Sequence, residues 1–324
     1  METQNSQVSS SLSIKFSGEN GPFFSMKLFH VFMTIITIGI YYFWAKAASM
    51  RYLYQNTEFC GGKFAFHGTG KEMFWGFIRS IAILALAYVI IIFASLTQSV
   101  ALMIGAFIVY FAIFMVIIPL AIHGSMKYRL SRTTWNGITM SYTGTTGDMY
   151  AICIKGTLLS IVTLGIYSFW FAVDLRKYIF ENTKLGDVKL QFDGEGSGYF
   201  FEVFVVYLLT LITAGIYGFW FARNLYHYFI DNTRVVHNEF GLKFKSKVTA
   251  GAVFKLVVPN LLILIFTLGI AFPIVVLRNI RFLVDNIELT GTFDASLIKQ
   301  GKLQPAGAVG ESLSDSLNVD GLSI

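Results

Sequence analysis

The sequence predicts an all-α membrane protein of about six transmembrane or deeply inserted helices, built from internal repeats of about 50 residues with interfacial helices and short β pieces between them. Three observations carry this reading. Apolar residues make up 55% of the 324, charged residues only 14%, and the mean hydropathy is +0.61, values too apolar for an ordinary soluble chain of this size. Six apolar runs, near Pro22–Ala45, Phe77–Ser95, Val100–Ile122, Tyr150–Val173, Tyr199–Ala222 and Ala250–Leu277, each have the length a spanning helix needs. A pattern of Gly, Trp and Asn-Thr recurs along the chain.

Taken in order, residues 1–13 are polar and expected to be disordered. With no Lys or Arg before Lys15 and no small-residue cleavage site, they do not read as a removable signal peptide. A membrane domain follows over 14–293. From Phe16, Tyr142 and Phe192 a Gly follows after 23 residues (Gly39, Gly165, Gly215), a Trp after 28 (Trp44, Trp170, Trp220) and Asn-Thr after 40 and 41. These define units near 16–57, 142–183 and 192–233. The unit at 66–133 spans 67 residues where those span 41, and holds two full apolar segments. The unit near 244–287 keeps the 17-residue step from Gly269 to Asn286 but carries Ile274 for Trp and Ile287 for Thr. Residues 294–324, small, polar and acidic from Gln304 onward, read as a flexible tail.

Within a unit, alternating pieces such as Lys63–Gly70 and Lys189–Gly196 predict short strands ended by glycine. The Gly of TIGIYYFW, TLGIYSFW and TAGIYGFW permits a helix stop and turn. Tyr41, Trp44, Tyr167, Trp170, Tyr217 and Trp220 supply amphipathic rings for headgroup depth. The mixed helices that follow carry Arg51, Arg176, Arg223 and, in the last unit, Arg278, so these ten residues are the candidate lipid-interface or partner-binding set. Lys27, Lys155, Glu202 and Lys255 stand near the start of apolar runs and are candidate intramembrane polar residues; Glu202 is a candidate to pair with Lys155 or Lys255. Asn56, Asn182, Asn232 and Asn286 are expected to end the mixed helices.

Two topologies compete. If all six runs span, the basic stretches Ala45–Lys71 and Asp174–Gly198 fall on opposite sides, against the positive-inside rule. If each unit instead returns to its own face as a short hairpin and only the expanded unit crosses twice, that conflict disappears, but the turns then need their backbone groups satisfied in lipid. The plain count of six segments is kept as the expectation. Both put the two termini on one side.

The Gly-Ile-Tyr-x-Phe-Trp blocks, Asn-Thr ends and Phe-x-Gly entries over Ile14–Phe293 resemble the YjgN-like family of bacterial inner-membrane proteins. That resemblance implies a multi-pass inner-membrane protein of a Gram-negative bacterium, and a family without an established activity.

Little points to chemistry. His30, His67, His123, His227 and His237 are scattered without metal-ligand spacing, so no metal or other cofactor is expected. Gly194–Gly198 lacks phosphate-loop spacing and reads as a membrane-entry turn. Cys60 and Cys153 do not indicate a disulfide framework. No nucleophile motif marks an enzyme, although one acting on a lipid-linked substrate stays as the weakest alternative. The net charge of +6 lies in the polar connections, where it suits anionic lipid headgroups and not nucleic acid. The leading reading is therefore a structural protein that interacts with membrane lipids or protein partners, with a transporter or channel for a small solute or ion as the alternative.

Overall fold

The computed structural model describes residues 12–97 and 99–301, so the disorder expected for residues 1–11 and for the tail beyond 301 lies outside the described residues. Ten strands pair in chain order into one antiparallel meander: β1 (Ile14–Phe16), β2 (Thr57–Phe59), β3 (Gly62–Phe66), β4 (Thr133–Trp135), β5 (Ile138–Tyr142), β6 (Thr183–Leu185), β7 (Val188–Phe192), β8 (Thr233–Val236), β9 (Gly241–Ser246) and β10 (Ile287–Thr292). This sheet overturns the all-α, six-segment expectation. β3 and β7 overlap the alternating pieces read from Lys63 and Lys189, but most of the other strands, three to six residues long, are too short to show a period of two in sequence and are held by pairing across whole units.

The pairing explains the repeat spacing. The first and last residues of the units are cross-strand partners: Phe16 with Thr57, Phe66 with Thr133, Tyr142 with Thr183 and Phe192 with Thr233. In the last unit Ser246 faces Ile287, two positions beyond the aromatic residue taken as its start.

At one edge of the sheet, strands turn through short links with positive φ at Cys60-Gly61, Asn136-Gly137 and Gly186, the backbone that tight hairpins require. At the other edge every connection is a pair of helices: α1 (Asn20–Ile36) and α2 (Tyr42–Gln55), α3 (Gly70–Leu96) and α4 (Val100–Ser131), α5 (Thr146–Val162) and α6 (Ser168–Glu181), α7 (Gly196–Ile212) and α8 (Gly218–Asp231), α9 (Ala250–Phe266) and α10 (Phe272–Asp285). Because strand direction alternates, all five helical hairpins leave the same edge.

The apolar runs are thereby reassigned. Four of them contain a helix, a turn and the start of a second helix, while Phe77–Ser95 and Val100–Ile122 lie within the long α3 and α4. Among the described residues α4 is the one helix long and apolar enough by itself to cross a membrane.

Each helix packs on the next in chain order, and α10 packs on α1, which closes the ring. A recurring contact joins hairpin to hairpin. Arg51 Nη2 donates to the Gly68 carbonyl at 3.2 Å, His227 Nε2 lies 2.8 Å from the Val248 carbonyl, and Arg281 Nη2 donates to Gly18 at 2.6 Å across the closure. At the helix bases a tyrosine ties the second helix to the entry of the first: Tyr178 OH accepts the Thr145 N–H at 2.7 Å, Tyr52 OH accepts that of Glu19 at 2.9 Å, and Tyr228 OH donates to the Glu195 carbonyl at 2.7 Å.

The sheet has its own core. Trp135 is fully buried among Cys60, Val188, Val235, Leu242 and Leu289, and its Nε1 donates to the carbonyls of Phe59 and Gly62, both at 3.1 Å. Full burial of such side chains contributes about 1.5–3 kcal/mol each. Phe66, Tyr142 and Phe192, also fully buried, pack instead with the helices.

The start of the expected tail is bound to this sheet. After a 3₁₀ turn at Ala295–Leu297, Ile298 is buried, the Lys299 N–H donates to Asp187 Oδ1 at 3.0 Å, and Gln300 Oε1 accepts the Thr139 N–H at 2.8 Å. Burial acts to raise the Asp187 carboxyl, but hydrogen bonds from the Lys299 and Asp187 amides and from His237 outweigh it and hold the group below its ordinary 3.8. A depressed carboxylate contributes stability that is present above the ordinary value and lost as pH falls through the folded one. Docking of residues 298–301 is therefore expected to persist at about pH 5 and to loosen only below 3.8. Asp187→Asn is expected to speed hydrogen exchange at the Lys299 amide at neutral pH without changing exchange in β2 and β3; unchanged exchange at Lys299 contradicts the anchoring role.

Candidate functional site

The far ends of the four short hairpins share one construction. Ile38, Leu164, Ala214 and Leu268 have φ of 50°, 51°, 49° and 49°, and each is followed by a glycine at 83–93°. A left-handed residue other than Gly costs about 1–2 kcal/mol. Two in succession reverse the chain and let each N–H of the reversal find a partner. In the first hairpin the N–H of Ile38 donates to Ile35, that of Gly39 to Thr34 at 2.7 Å, and those of Ile40 and Tyr42 to Thr37 and Gly39, a Schellman closure that continues into the next helix.

The remaining donor is met by a side chain. Thr37 Oγ1 accepts the Tyr41 N–H at 3.0 Å while donating to the Met33 carbonyl at 2.8 Å. Thr163 serves Tyr167 at 2.9 Å, Thr213 serves Tyr217 at 3.0 Å and Thr267 serves Ala271 at 3.2 Å. These threonines were missed as functional positions, although a Thr two residues before each turn glycine was a readable signal.

The tips are the most exposed apolar surface of the described residues: Ile38 is 94% exposed, Leu164 95% and Leu268 90%. Charge stays away from them. From Lys27 to Ile38 is 11 residues and from Lys255 to Leu268 is 13, about 16 and 20 Å at the helical rise, near half of the roughly 30 Å hydrocarbon core.

The aromatic candidates lie just behind the tips. Tyr41 stacks on Trp44 at 6.2 Å between ring centres, Tyr167 on Trp170 at 6.1 Å and Tyr217 on Trp220 at 5.0 Å. Trp44 reaches Phe74 and Trp170 reaches Phe200 of the following hairpin, at 5.7 and 5.0 Å. Gly70 makes this approach feasible, because a Cβ there would come within 2.6 Å of Trp44 Cα. These rings therefore join hairpins as well as facing outward.

The charged candidates sit toward the sheet and do not form one cluster. Arg176 lies over the rings of Phe180 and Phe229 at 4.6 and 4.5 Å. Arg278 Nε donates to Asn260 Oδ1 at 2.6 Å, and Arg223 is exposed on α8. Lys155 shares a groove with Asp174 and Lys177, and Lys255 shares one with Arg278, Arg281 and Asp285. Glu202 is exposed and, among the described residues, forms no ion pair with Lys155 or Lys255. Lys27 stands over the Phe23 ring at 5.5 Å. Asn56, Asn182, Asn232 and Asn286 end their helices, each side-chain amide donating four residues back at 2.7–2.8 Å. Cys60 and Cys153 are free thiols in separate clusters.

A family model described as a bacterial protein of unknown function, DUF898, matches residues 11–151, 139–191, 187–242 and 239–316. The chain belongs to this family. It is similar to inner membrane protein YjgN of Salmonella typhimurium strain LT2, 35% identical over 69 residues that cover 21% of this chain and 18% of the relative. It is also similar to inner membrane protein YjgN of Escherichia coli O157:H7, 27% identical over 158 residues covering 48% and 37%. The matches thus span well under half of those relatives. No solved structure matches the chain.

The repeated blocks that resembled the YjgN-like family therefore mark a DUF898 member, and the apolar tips agree with a membrane protein of the inner membrane. In this DUF898 chain the tip threonines leave no orphan N–H at the reversal, an orphan that costs about 1–3 kcal/mol wherever water cannot reach it. Thr213→Val is expected to lower stability in micelles by that amount in chemical unfolding, and Thr213→Ser to restore most of it. Equal stability of the Val and Ser variants contradicts the capping role.

Proposed function

We propose that this chain is a multi-pass structural protein of the inner membrane that engages lipids, anionic ones among them, through four hairpins set in one leaflet and one hairpin that crosses. The carrying observation is the set of four apolar tips whose turn N–H groups are already bonded. The length of α3 and α4 supports the crossing: 27 and 32 residues extend about 40 and 48 Å, and residues 80–126 hold no Asp, Glu, Lys or Arg.

Charge orients the molecule. The sequence that joins α3 to α4 carries no charge, whereas the strands and helix bases carry the lysines and arginines, so the sheet faces the cytoplasm. With strands, bases and both described ends on that face, the conflict between Ala45–Lys71 and Asp174–Gly198 disappears. The transporter alternative has no polar stripe through the tips to support it.

Single cysteines at Lys71, Lys184 and Ser99, in a variant with Cys60 and Cys153 replaced, test this in sealed vesicles. Burial pushes the Cys60 thiol up to about 11, so its replacement removes a weakly reactive site only. Lys71→Cys and Lys184→Cys are expected to react from the same side and Ser99→Cys from the opposite side. Labelling of all three from one side, or of the first two from opposite sides, overturns the arrangement.

A further inference from the structure

The groove between α1 and α2 differs from the others in its chemistry. It encloses about 370 Å³ and is lined by Lys27, His30, Thr34, Lys46 and Ser49, with Val31 and Ile35 continuing toward the tip. Thr34 Oγ1 donates to the His30 carbonyl at 2.7 Å and Ser49 Oγ to that of Ala45 at 2.6 Å. The hydroxyl protons are thus committed to backbone, and the charged donors turned to the groove are lysines. Among the described residues no carboxylate lines it, whereas Asp174 and Glu181 line the groove of the third hairpin and Asp285 that of the fifth.

A second observation points to a ligand. His30 is only 9% exposed, and its Nδ1 has no hydrogen-bond partner among the described residues, a state that normally costs stability unless something else supplies the partner. The depth fits as well. Lys27 is 11 residues from Ile38, about 16 Å from the tip, the headgroup level for a hairpin confined to one leaflet, and Lys46, one turn into α2, lies nearer the tip at a depth from which a long side chain snorkels to the headgroups. Beyond them Val31 and Ile35 are 54% and 71% exposed, an apolar track in line with the charged mouth.

We propose that this groove binds the phosphate-bearing headgroup of an anionic phospholipid, with Lys27 and Lys46 on the phosphate, His30 as a further donor and an acyl chain along Val31 and Ile35. The proposal rests on the membrane-inserted reading above and specifies a lipid site for it. Two near-surface lysines contribute about 30-fold in affinity for an anionic lipid.

The full chain in mixed micelles, titrated with phosphatidylglycerol, phosphatidylcholine or inorganic phosphate, tests it. Lys27→Gln with Lys46→Gln is expected to weaken phosphatidylglycerol binding about 30-fold and to leave phosphatidylcholine binding and the unfolding midpoint unchanged. Lys155→Gln with Lys177→Gln, in the carboxylate-lined groove, is expected to change it little. If the double variant does not fold, Lys46→Gln alone carries the test, with about a fivefold loss expected. Undiminished binding, an equal loss from the third-hairpin pair, or displacement of the lipid by inorganic phosphate at the same concentration overturns the site. A spin label at Ile38, the tip of this hairpin, separates the failures: a tip shielded from water keeps the inserted hairpin and rejects only the groove, while a tip that meets water rejects both.

Discussion

The proposed arrangement depends on closing backbone hydrogen bonds where water is absent. A chain that turns inside hydrocarbon leaves donors that cost several kcal/mol each, and this constraint normally forces helices to cross completely. Here the Thr-x-Gly reversal removes it. Two left-handed residues and one threonine hydroxyl supply partners for each N–H from Thr37 to Tyr42, and the same bonds recur at Thr163, Thr213 and Thr267. Short hairpins are thereby made compatible with lipid at their tips.

The sheet meets the opposite need. Helix pairs of 17 and 14 residues gain little from association in lipid, where no hydrophobic difference drives them together. Their positions are instead set by the sheet, which the proposed arrangement puts outside the hydrocarbon and whose strand pairs join the two ends of the units. Arginine contacts to the neighbouring entry loops and tyrosine contacts at each base extend that order into the ring, and Arg281 to Gly18 applies it across the closure.

Much of this was written in spacing, but not its meaning. The 41-residue interval from Phe16 to Thr57 was visible as a repeat, yet only pairing shows that it measures the distance between two adjacent strands. The turn glycines and the closing asparagines were legible because each occupies a position with one backbone requirement. The six-segment count failed because hydropathy is blind to a reversal made of Thr, Ile and Gly, which is as apolar as the helices beside it. β3 and β7 were legible as alternating pieces, whereas strands of three residues such as β1, β2, β4 and β6 were too short to announce themselves. The shared grooves of Lys155 with Asp174 and of Lys255 with Arg278 were not legible, since they depend on how two helices of a hairpin meet, and neither was His30, whose burial among Phe29 and Tyr41 no spacing announces.

Spin labels placed at Ile38, Leu164, Ala214 and Leu268 of the reconstituted protein measure the depth of the hairpin tips, through their relative accessibility to oxygen and to a water-soluble paramagnet. All four are expected to lie at a common depth near the bilayer centre, rich in oxygen and shielded from the water-soluble reagent on either side. Tips that meet the aqueous reagent, from the cytoplasmic face or from the far one, would contradict it.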